Sequence, residues 1–261
     1  MSRKSSLAAR ARELRVSWIW FHRLGSPPHF YRLAGKLLPW ISIPALLLSM
    51  AGLIAGLALA PPDYQQGNGF RILYVHAAAA WLSLMIYSVM AISAAVGLVW
   101  RISVAYAMAA NCAAIGVSFA AVALATGMLW GRPTWGTYWE WDSQLTSELV
   151  LLFLYLGYLG LRHSFGDYGR ADRASAMLAI LGAVNMPMIY FAVSRWNSLH
   201  HASSLMILTR PMGASMYVPM LLILAGFTLF FLSLLLVRAR AEILRRERDT
   251  AWIGRILRQA T

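Results

Sequence analysis

Cysteine and acidic residues are scarce in this sequence of 261 residues, and both shortages limit what the chain can do. Cys112 is the only cysteine, which excludes an intramolecular disulfide, a thiolate cage for a metal ion and every motif that needs paired cysteines. Acidic residues number 10 against 23 basic ones, and charged residues make up 13% of the chain, whereas a soluble domain has roughly 25%. The sequence contains no P-loop pattern, so any use of ATP must belong to a partner.

Apolar residues take the place of the missing charges. They make up 59% of the chain, and a chain this apolar and basic is predicted to lie in a bilayer rather than to bind nucleic acid. Arg101 and Ile102 alone separate two of the apolar runs, so the two helices that they join should form a tight hairpin. The fold is expected to be an all-α integral membrane protein with six transmembrane helices, each near the roughly 20 residues that a crossing needs. The predicted spans are residues 41–60, 74–100, 103–129, 143–161, 174–193 and 215–237.

Basic residues indicate the direction of the spans, because Lys and Arg are retained in the cytoplasm. An inside N-terminus places 19 of the 23 basic residues on the cytoplasmic side, so both termini are expected there. The membrane domain is expected at 39–237, between basic tails at 1–38 and 238–261. Aromatic and apolar residues interleave with the basic ones in both tails, which suits helices lying on anionic membrane lipids. Basic residues that only set the direction of the spans would explain the composition of the tails equally well.

The predicted direction leaves three outward loops, 61–73, 130–142 and 194–214, and these contain most of the unusual residues. Four tryptophans fall within 12 residues of the second loop: Trp130, Trp135, Trp139 and Trp141. An interfacial belt would spread its rings over several helix ends, so this concentration predicts a dedicated aromatic surface. Thr137 and Glu140 have capping-box spacing, which predicts a short interfacial helix within the loop.

Ionisable residues near the same outer face are candidates for binding. Asp142 and Glu148 lie near the outer end of the fourth span, where an acidic group costs free energy unless it is paired or solvated, although Asp142 is equally well explained as a helix cap. His76 lies in the first turn of the second span, and His200 and His201 precede the sixth.

Two histidines from distant loops beside an aromatic surface could bind a planar macrocycle through its iron, with outward arginines near its carboxylates. The candidates for the last role are Arg71, Arg132, Arg195 and Arg210. Zinc or copper bound by His76 and His200 is an alternative that would need further ligands.

Several motifs at these positions give the chain a specific resemblance. Residues 135–142 read W-G-T-Y-W-E-W-D, and residues 145–148 continue with L-T-S-E. The further matching segments are P-P-D-Y-Q-Q-G-N at 61–68, R-I-L-Y-V-H at 71–76, N-M-P at 185–187 and W-N-S-L-H at 196–200. Over roughly residues 22–237 the sequence resembles the CcmC family, membrane proteins that handle haem in bacterial cytochrome c maturation.

The resemblance implies a role and a set of site residues. Two histidines correspond to the axial ligands of the haem iron, and the tryptophan-rich segment corresponds to the surface that presents haem. The implied haem contacts are the two iron ligands His76 and His200 together with Trp130, Trp135, Trp139, Trp141 and Asp142. Haem b would be held non-covalently and transiently at the periplasmic face of the bacterial inner membrane. Gln144 and Arg195 depart from the family pattern, His201 has no counterpart role, and Pro187 is expected to loosen the helix that leads to His200.

The resemblance also implies partners. Haem would pass to a membrane-anchored haem chaperone, CcmE. The ATP-binding cassette subunits CcmA and CcmB, with the small membrane protein CcmD, would then release the loaded chaperone. The chain itself would bind and transfer haem rather than act as an enzyme, and catalysis of haem attachment to the chaperone is compatible with that role.

Two other functions stay open. A haem lyase would attach haem to apocytochrome c, but larger members of that group carry an additional membrane-embedded histidine pair, and no histidine lies in the middle of a span here. A transporter of haem or another small molecule would need a polar path through the membrane. The predicted spans contain few polar groups at mid-depth beyond Ser, Thr, Asn111 and Asn185.

Overall fold

The computed structural model describes residue 23 and the ranges 25–189 and 213–260, and α-helices account for most of them. The helices are α1 (Pro27–Ile54), α2 (Arg71–Trp100), α3 (Ser103–Trp135), α4 (Ser143–His163), α5 (Tyr168–Gly182), α6 (Ala214–Arg246) and α7 (Ala251–Ala260). A π-helical turn, Ala55–Leu59, extends α1, and a 3₁₀ turn, Asn68–Phe70, leads into α2.

Five helical segments among the described residues are long and apolar enough to cross a membrane, which confirms a helical, multi-pass architecture. They are Pro27–Leu59, Asn68–Trp100, Ser103–Trp135, Ser143–His163 and Ala214–Arg246. The expected span at 174–193 is described only as far as residue 189. The total of six spans and the cytoplasmic location of both termini therefore stay predictions.

Short connections make the successive spans run in opposite directions. Between α2 and α3 the chain reverses within two residues, because Arg101 adopts a left-handed conformation with φ of 55° and Ile102 is extended. The predicted hairpin is therefore confirmed. The end of the bundle that carries residues 60–70 and 136–142 is called the outer end below, following the predicted direction, and the opposite end is called the inner end.

The region of the expected fifth span contains a break. Helix α5 ends at Gly182, residues 183–184 form a turn, and helical backbone resumes at 185–189. Pro187 accounts for the position of the break, because a proline ring clashes with the carbonyl four residues earlier, here that of Ala183. Asn185 secures the resumed segment by donating from Nδ2 to the Ser147 carbonyl of α4 at 3.0 Å.

Small residues allow α1 and α6 to cross closely. A Cβ added at Gly226 of α6 would lie 2.5 Å from the backbone nitrogen of Ser49 in α1, so only glycine fits there. The hydroxyl oxygens of Ser42 and Ser233 lie 2.6 Å apart across the same pair of helices. Close packing of small residues with a polar contact is a general means of helix association in membranes.

The C-terminal helix α7 folds back onto the inner end. Trp252 donates from Nε1 to Glu247 Oε2 at 2.6 Å, and its ring lies 5.9 Å from that of Tyr31 near the start of α1. Ile253 is buried. Part of the apolar side of this basic helix therefore packs against the protein itself, and its interaction with lipids stays a prediction.

Candidate functional site

His76 is held in one orientation by the neighbouring helix. Its Nδ1 lies 3.0 Å from the Ala123 carbonyl oxygen and 3.2 Å from Thr126 Oγ1, both on α3. A carbonyl can only accept, and the Thr126 hydroxyl donates its proton to the Val122 carbonyl at 2.6 Å. Nδ1 is therefore the protonated nitrogen, and in this tautomer Nε2 has the lone pair that can coordinate a metal.

Glycine and tryptophan on α3 complete the surroundings of the imidazole. A Cβ at Gly127 would lie 3.0 Å from His76 Cε1, so the missing side chain lets the ring approach α3. The ring of Trp130 lies 6.0 Å from the imidazole at an interplanar angle of 34°. Trp130 is only 4% exposed, and its Nε1 donates to Gln66 Oε1 at 2.9 Å. Trp130 therefore supports His76 and links it to the loop that precedes α2.

The four tryptophans are arranged as two pairs. Trp130 and Trp135 lie on α3, which continues six residues beyond the expected end of its span at 129, and their rings are 5.6 Å apart. Trp139 and Trp141 lie in the irregular segment before α4, with ring centroids 5.3 Å apart at 80°. Trp141 is 76% exposed. One pair is thus anchored beside His76, and the other reaches the surface.

The expected short helix at Thr137 and Glu140 is wrong. Gly136, with φ of 84°, ends α3, and residues 137–142 have no helical structure. The Thr137 hydroxyl donates to the Trp139 carbonyl at 2.9 Å instead of capping a helix. Capping-box spacing is not sufficient here, because the hydroxyl satisfies a nearer backbone group in a local turn.

Asp142 is the N-cap of α4, as the alternative interpretation of this residue proposed. Its Oδ1 accepts from the Leu145 backbone nitrogen at 2.7 Å. Among the described residues, Glu148 Oε1 and Gln144 Oε1 are buried without a hydrogen-bond partner. These oxygens lie one helical turn apart, so α4 has unsatisfied acceptors below the tryptophan-rich segment.

The two outward arginines among the described residues each make local contacts. Arg71 donates to the carbonyls of Leu57 at 2.6 Å and Ala60 at 3.0 Å, and so ties the end of the first span to α2. Arg132 donates to the Gly136 carbonyl at 2.7 Å and lies 5.3 Å from the Tyr138 ring centroid. The remaining predicted residues, Arg195, His200, His201 and Arg210, lie outside the described residues. Within the described ranges, no three or more His, Cys, Asp or Glu residues form a group that could hold a metal ion.

The sequence did not reveal the residues that position His76. Ala123, Thr126 and Gly127 lie about 50 positions further along an alanine-rich span, where no motif marks them. Thr126 is a polar residue in an apolar run, which is a weak signal. Gln66 lies in a segment that matches the family, but nothing in the pattern indicates that it contacts Trp130.

Comparisons with known proteins cover nearly the whole chain. A family model described as CcmC, Heme exporter protein C, matches residues 20–254. Heme exporter protein C of Escherichia coli strain K12 is 42% identical over 240 residues, which is 92% of this chain and 97% of the relative. The protein of the same name from Haemophilus influenzae is 44% identical over 237 residues, 90% and 96% of the two chains. A putative cytochrome c biosynthesis ccmC-like mitochondrial protein of Marchantia polymorpha is 44% identical over 175 residues, 67% and 73% of the two chains.

Proposed function

The chain belongs to the CcmC family, heme exporter protein C, and from this premise we propose that it binds haem b at the periplasmic face and delivers it to the haem chaperone CcmE. His76 and His200 are the proposed axial ligands. The observation that carries the proposal is the hydrogen bonding of His76 Nδ1 to the Ala123 carbonyl. A second hydrogen bond of this kind selects the tautomer and orients the ring of a metal-binding histidine.

The proposed ligand set suits holding and transfer better than oxygen chemistry. Two histidines occupy both axial positions of the iron, so neither is open to dioxygen. Delivery then requires the loss of at least one histidine ligand, and the acceptor must supply its own. Trp141 is exposed beside Trp139, which supports a role for this pair as the surface along which haem is offered to the chaperone. Trp130, Trp135 and Asp142 are proposed to complete the haem contacts.

The proposal includes a complex in the bacterial inner membrane. The ATP-binding cassette subunits CcmA and CcmB and the small protein CcmD are its proposed members, and ATP hydrolysis is assigned to the cassette subunits because this chain contains no P-loop pattern. Arginines exposed on α7, including Arg255, support contact with anionic lipid head groups. In this scheme the chain acts as a haem-binding and transfer protein rather than as an enzyme, and catalysis of haem attachment to the chaperone is compatible with that role.

An absorption spectrum of the purified protein tests the ligand assignment. The parent and His201→Ala are expected to show the low-spin spectrum of haem with two histidine ligands. His76→Ala and His200→Ala are expected to lose or alter it, because each removes one axial nitrogen. A parent protein without haem, or an effect confined to His201→Ala, would contradict the assignment.

A further inference from the structure

Among the described residues, bulky apolar side chains fill the middle of the bundle. Leu82, Ile86, Tyr87 and Met90 of α2 are fully buried, and they cover about 12 Å along the helix axis at 1.5 Å per residue. Leu151, Tyr155 and Tyr158 of α4 and Phe231 of α6 are fully buried in the same core. The Tyr87 and Tyr155 rings are 5.1 Å apart in an edge-to-face contact. A rigid macrocycle could pass through this layer only if several large side chains moved together.

Buried ion pairs close the inner end. Asp172 of α5 accepts two hydrogen bonds from the guanidinium of Arg246, at 2.7 and 3.0 Å, and a further one from Arg162 of α4. Glu242 of α6 accepts from Arg162 at 2.8 Å and from Arg246 at 2.9 Å. The side chains of all four residues are buried. Opening this end would leave charges without partners in a region of low dielectric constant, which is costly.

The candidate site, by contrast, lies close to the outer end. His76 is the sixth residue of α2, about 8 Å from the first residue at 1.5 Å per residue. The exposed rings of Trp141 and Tyr138 lie at that end. Trp81, about 8 Å further along the axis of α2 than His76 at 1.5 Å per residue, is also exposed. A ligand with an apolar ring and charged carboxylates can approach this depth from the outer leaflet without crossing the core.

We propose that haem enters this site from the outer leaflet and does not pass through the helical bundle. The proposal rests on the proposed function, since it concerns how the same site is loaded. It places the protein after a separate step that moves haem across the bilayer, and it makes this chain the collector of haem rather than its conduit. The cluster of Arg162, Asp172, Glu242 and Arg246 then acts as a permanent closure of the inner end.

Side-specific loading of liposomes tests the proposal. Haem-free full-length protein is reconstituted with its outer end facing the medium. Haem is supplied in the medium in one arm and in the lumen in the other. Apomyoglobin on the side opposite the haem serves as a scavenger. Haem in the medium is expected to produce the spectrum of the loaded protein promptly. Haem in the lumen is expected to load the protein no faster than it crosses protein-free liposomes of the same lipid. Loading from the lumen at a faster rate would overturn the proposal.

Asp172→Asn tests the role of the closure, because it removes one charge and keeps the size of the side chain. Asp167→Asn is the matched control, since Asp167 is the exposed N-cap of the same helix. Neither variant is expected to accelerate loading from the lumen, and acceleration by Asp172→Asn alone would identify the inner end as a gate.

Haem binding by the parent in detergent separates the proposed function from the proposed route of entry. No binding there contradicts the proposed function, whereas binding in detergent with rapid loading from the lumen contradicts only the route.

Discussion

The environment of His76 differs from that of His163, another histidine whose ring nitrogen contacts a backbone carbonyl. His163 Nδ1 lies 2.7 Å from the Leu159 carbonyl, one turn back in its own helix, and this contact needs no tertiary structure. His76 instead contacts a different helix through Ala123 and Thr126. The neighbouring helix therefore decides which nitrogen of His76 is protonated and where the ring points. Gly127 is part of that arrangement, because any side chain there would contact the imidazole.

Gly127→Leu is expected to displace the His76 ring and to weaken haem binding at least tenfold, a change of about 1.4 kcal/mol. The reason is steric, since the first added carbon already lies 3.0 Å from His76 Cε1. Gly160→Leu is the matched control, because a Cβ at Gly160 has no atom within 4 Å. Haem titration of both purified variants checks the prediction. Equal affinity of the two would show that the approach of His76 to α3 does not matter for binding.

The segment between α3 and α4 is short and anchored at both ends. Pro133 does not stop α3 at once, and the helix ends only at Gly136, whose left-handed conformation suits glycine. Six residues later Asp142 caps α4. The segment that carries Trp139 and Trp141 is therefore tethered between two rigid helices. Its geometry depends on the beginning of α4 as much as on its own sequence.

Substitutions of Asp142 separate its capping role from a role in haem transfer. Asp142→Ala is expected to lower stability by about 1 kcal/mol, because the Leu145 nitrogen loses its acceptor. Asp142→Ser retains a capping oxygen and should unfold close to the parent in a thermal scan. We expect both variants to impair haem transfer to the chaperone, because both lack the carboxylate. Full haem transfer by Asp142→Ser would show that the role of Asp142 is limited to capping α4.

The molecule as a whole has two chemically different ends. The outer end carries His76 and the exposed aromatic residues, and the inner end carries the buried ion pairs and the helix α7. Of the basic residues, 19 of 23 are assigned to the inner side by the predicted topology. This asymmetry is the basis of the predicted orientation, in which the proposed haem site faces the periplasm.

Labelling of single cysteines in intact cells checks this orientation. Cys112 is the only cysteine of the sequence, so a Cys112→Ser background has no thiol to react. Glu140→Cys in the tryptophan-rich segment should react with a membrane-impermeant maleimide from outside. Gly166→Cys, exposed in the turn between α4 and α5, should react only after the membrane is permeabilised. The opposite labelling pattern would place the tryptophan-rich segment on the cytoplasmic side, where it could not reach its proposed periplasmic acceptor.

The sequence by itself determined the membrane class, the two-residue hairpin at Arg101 and Ile102, and the family motif at 135–142, because each depends on composition or on neighbouring residues. It also allowed for the cap at Asp142, which is a local interaction. The break near Ala183 could be anticipated from Pro187 only in part, since a proline does not indicate how the chain continues.

The tertiary structure alone decided how the tryptophans divide, which nitrogen of His76 bears the proton, and how the inner end closes. Trp130 is buried against Gln66 and His76, whereas Trp141 is exposed, although both belong to the same predicted outward loop, 130–142. The His76 contacts join residues 47 and 50 positions apart, and the Arg162–Glu242 pair joins residues 80 apart. Such contacts depend on how helices pack, and no local pattern in the chain encodes the side chain that a distant helix will present.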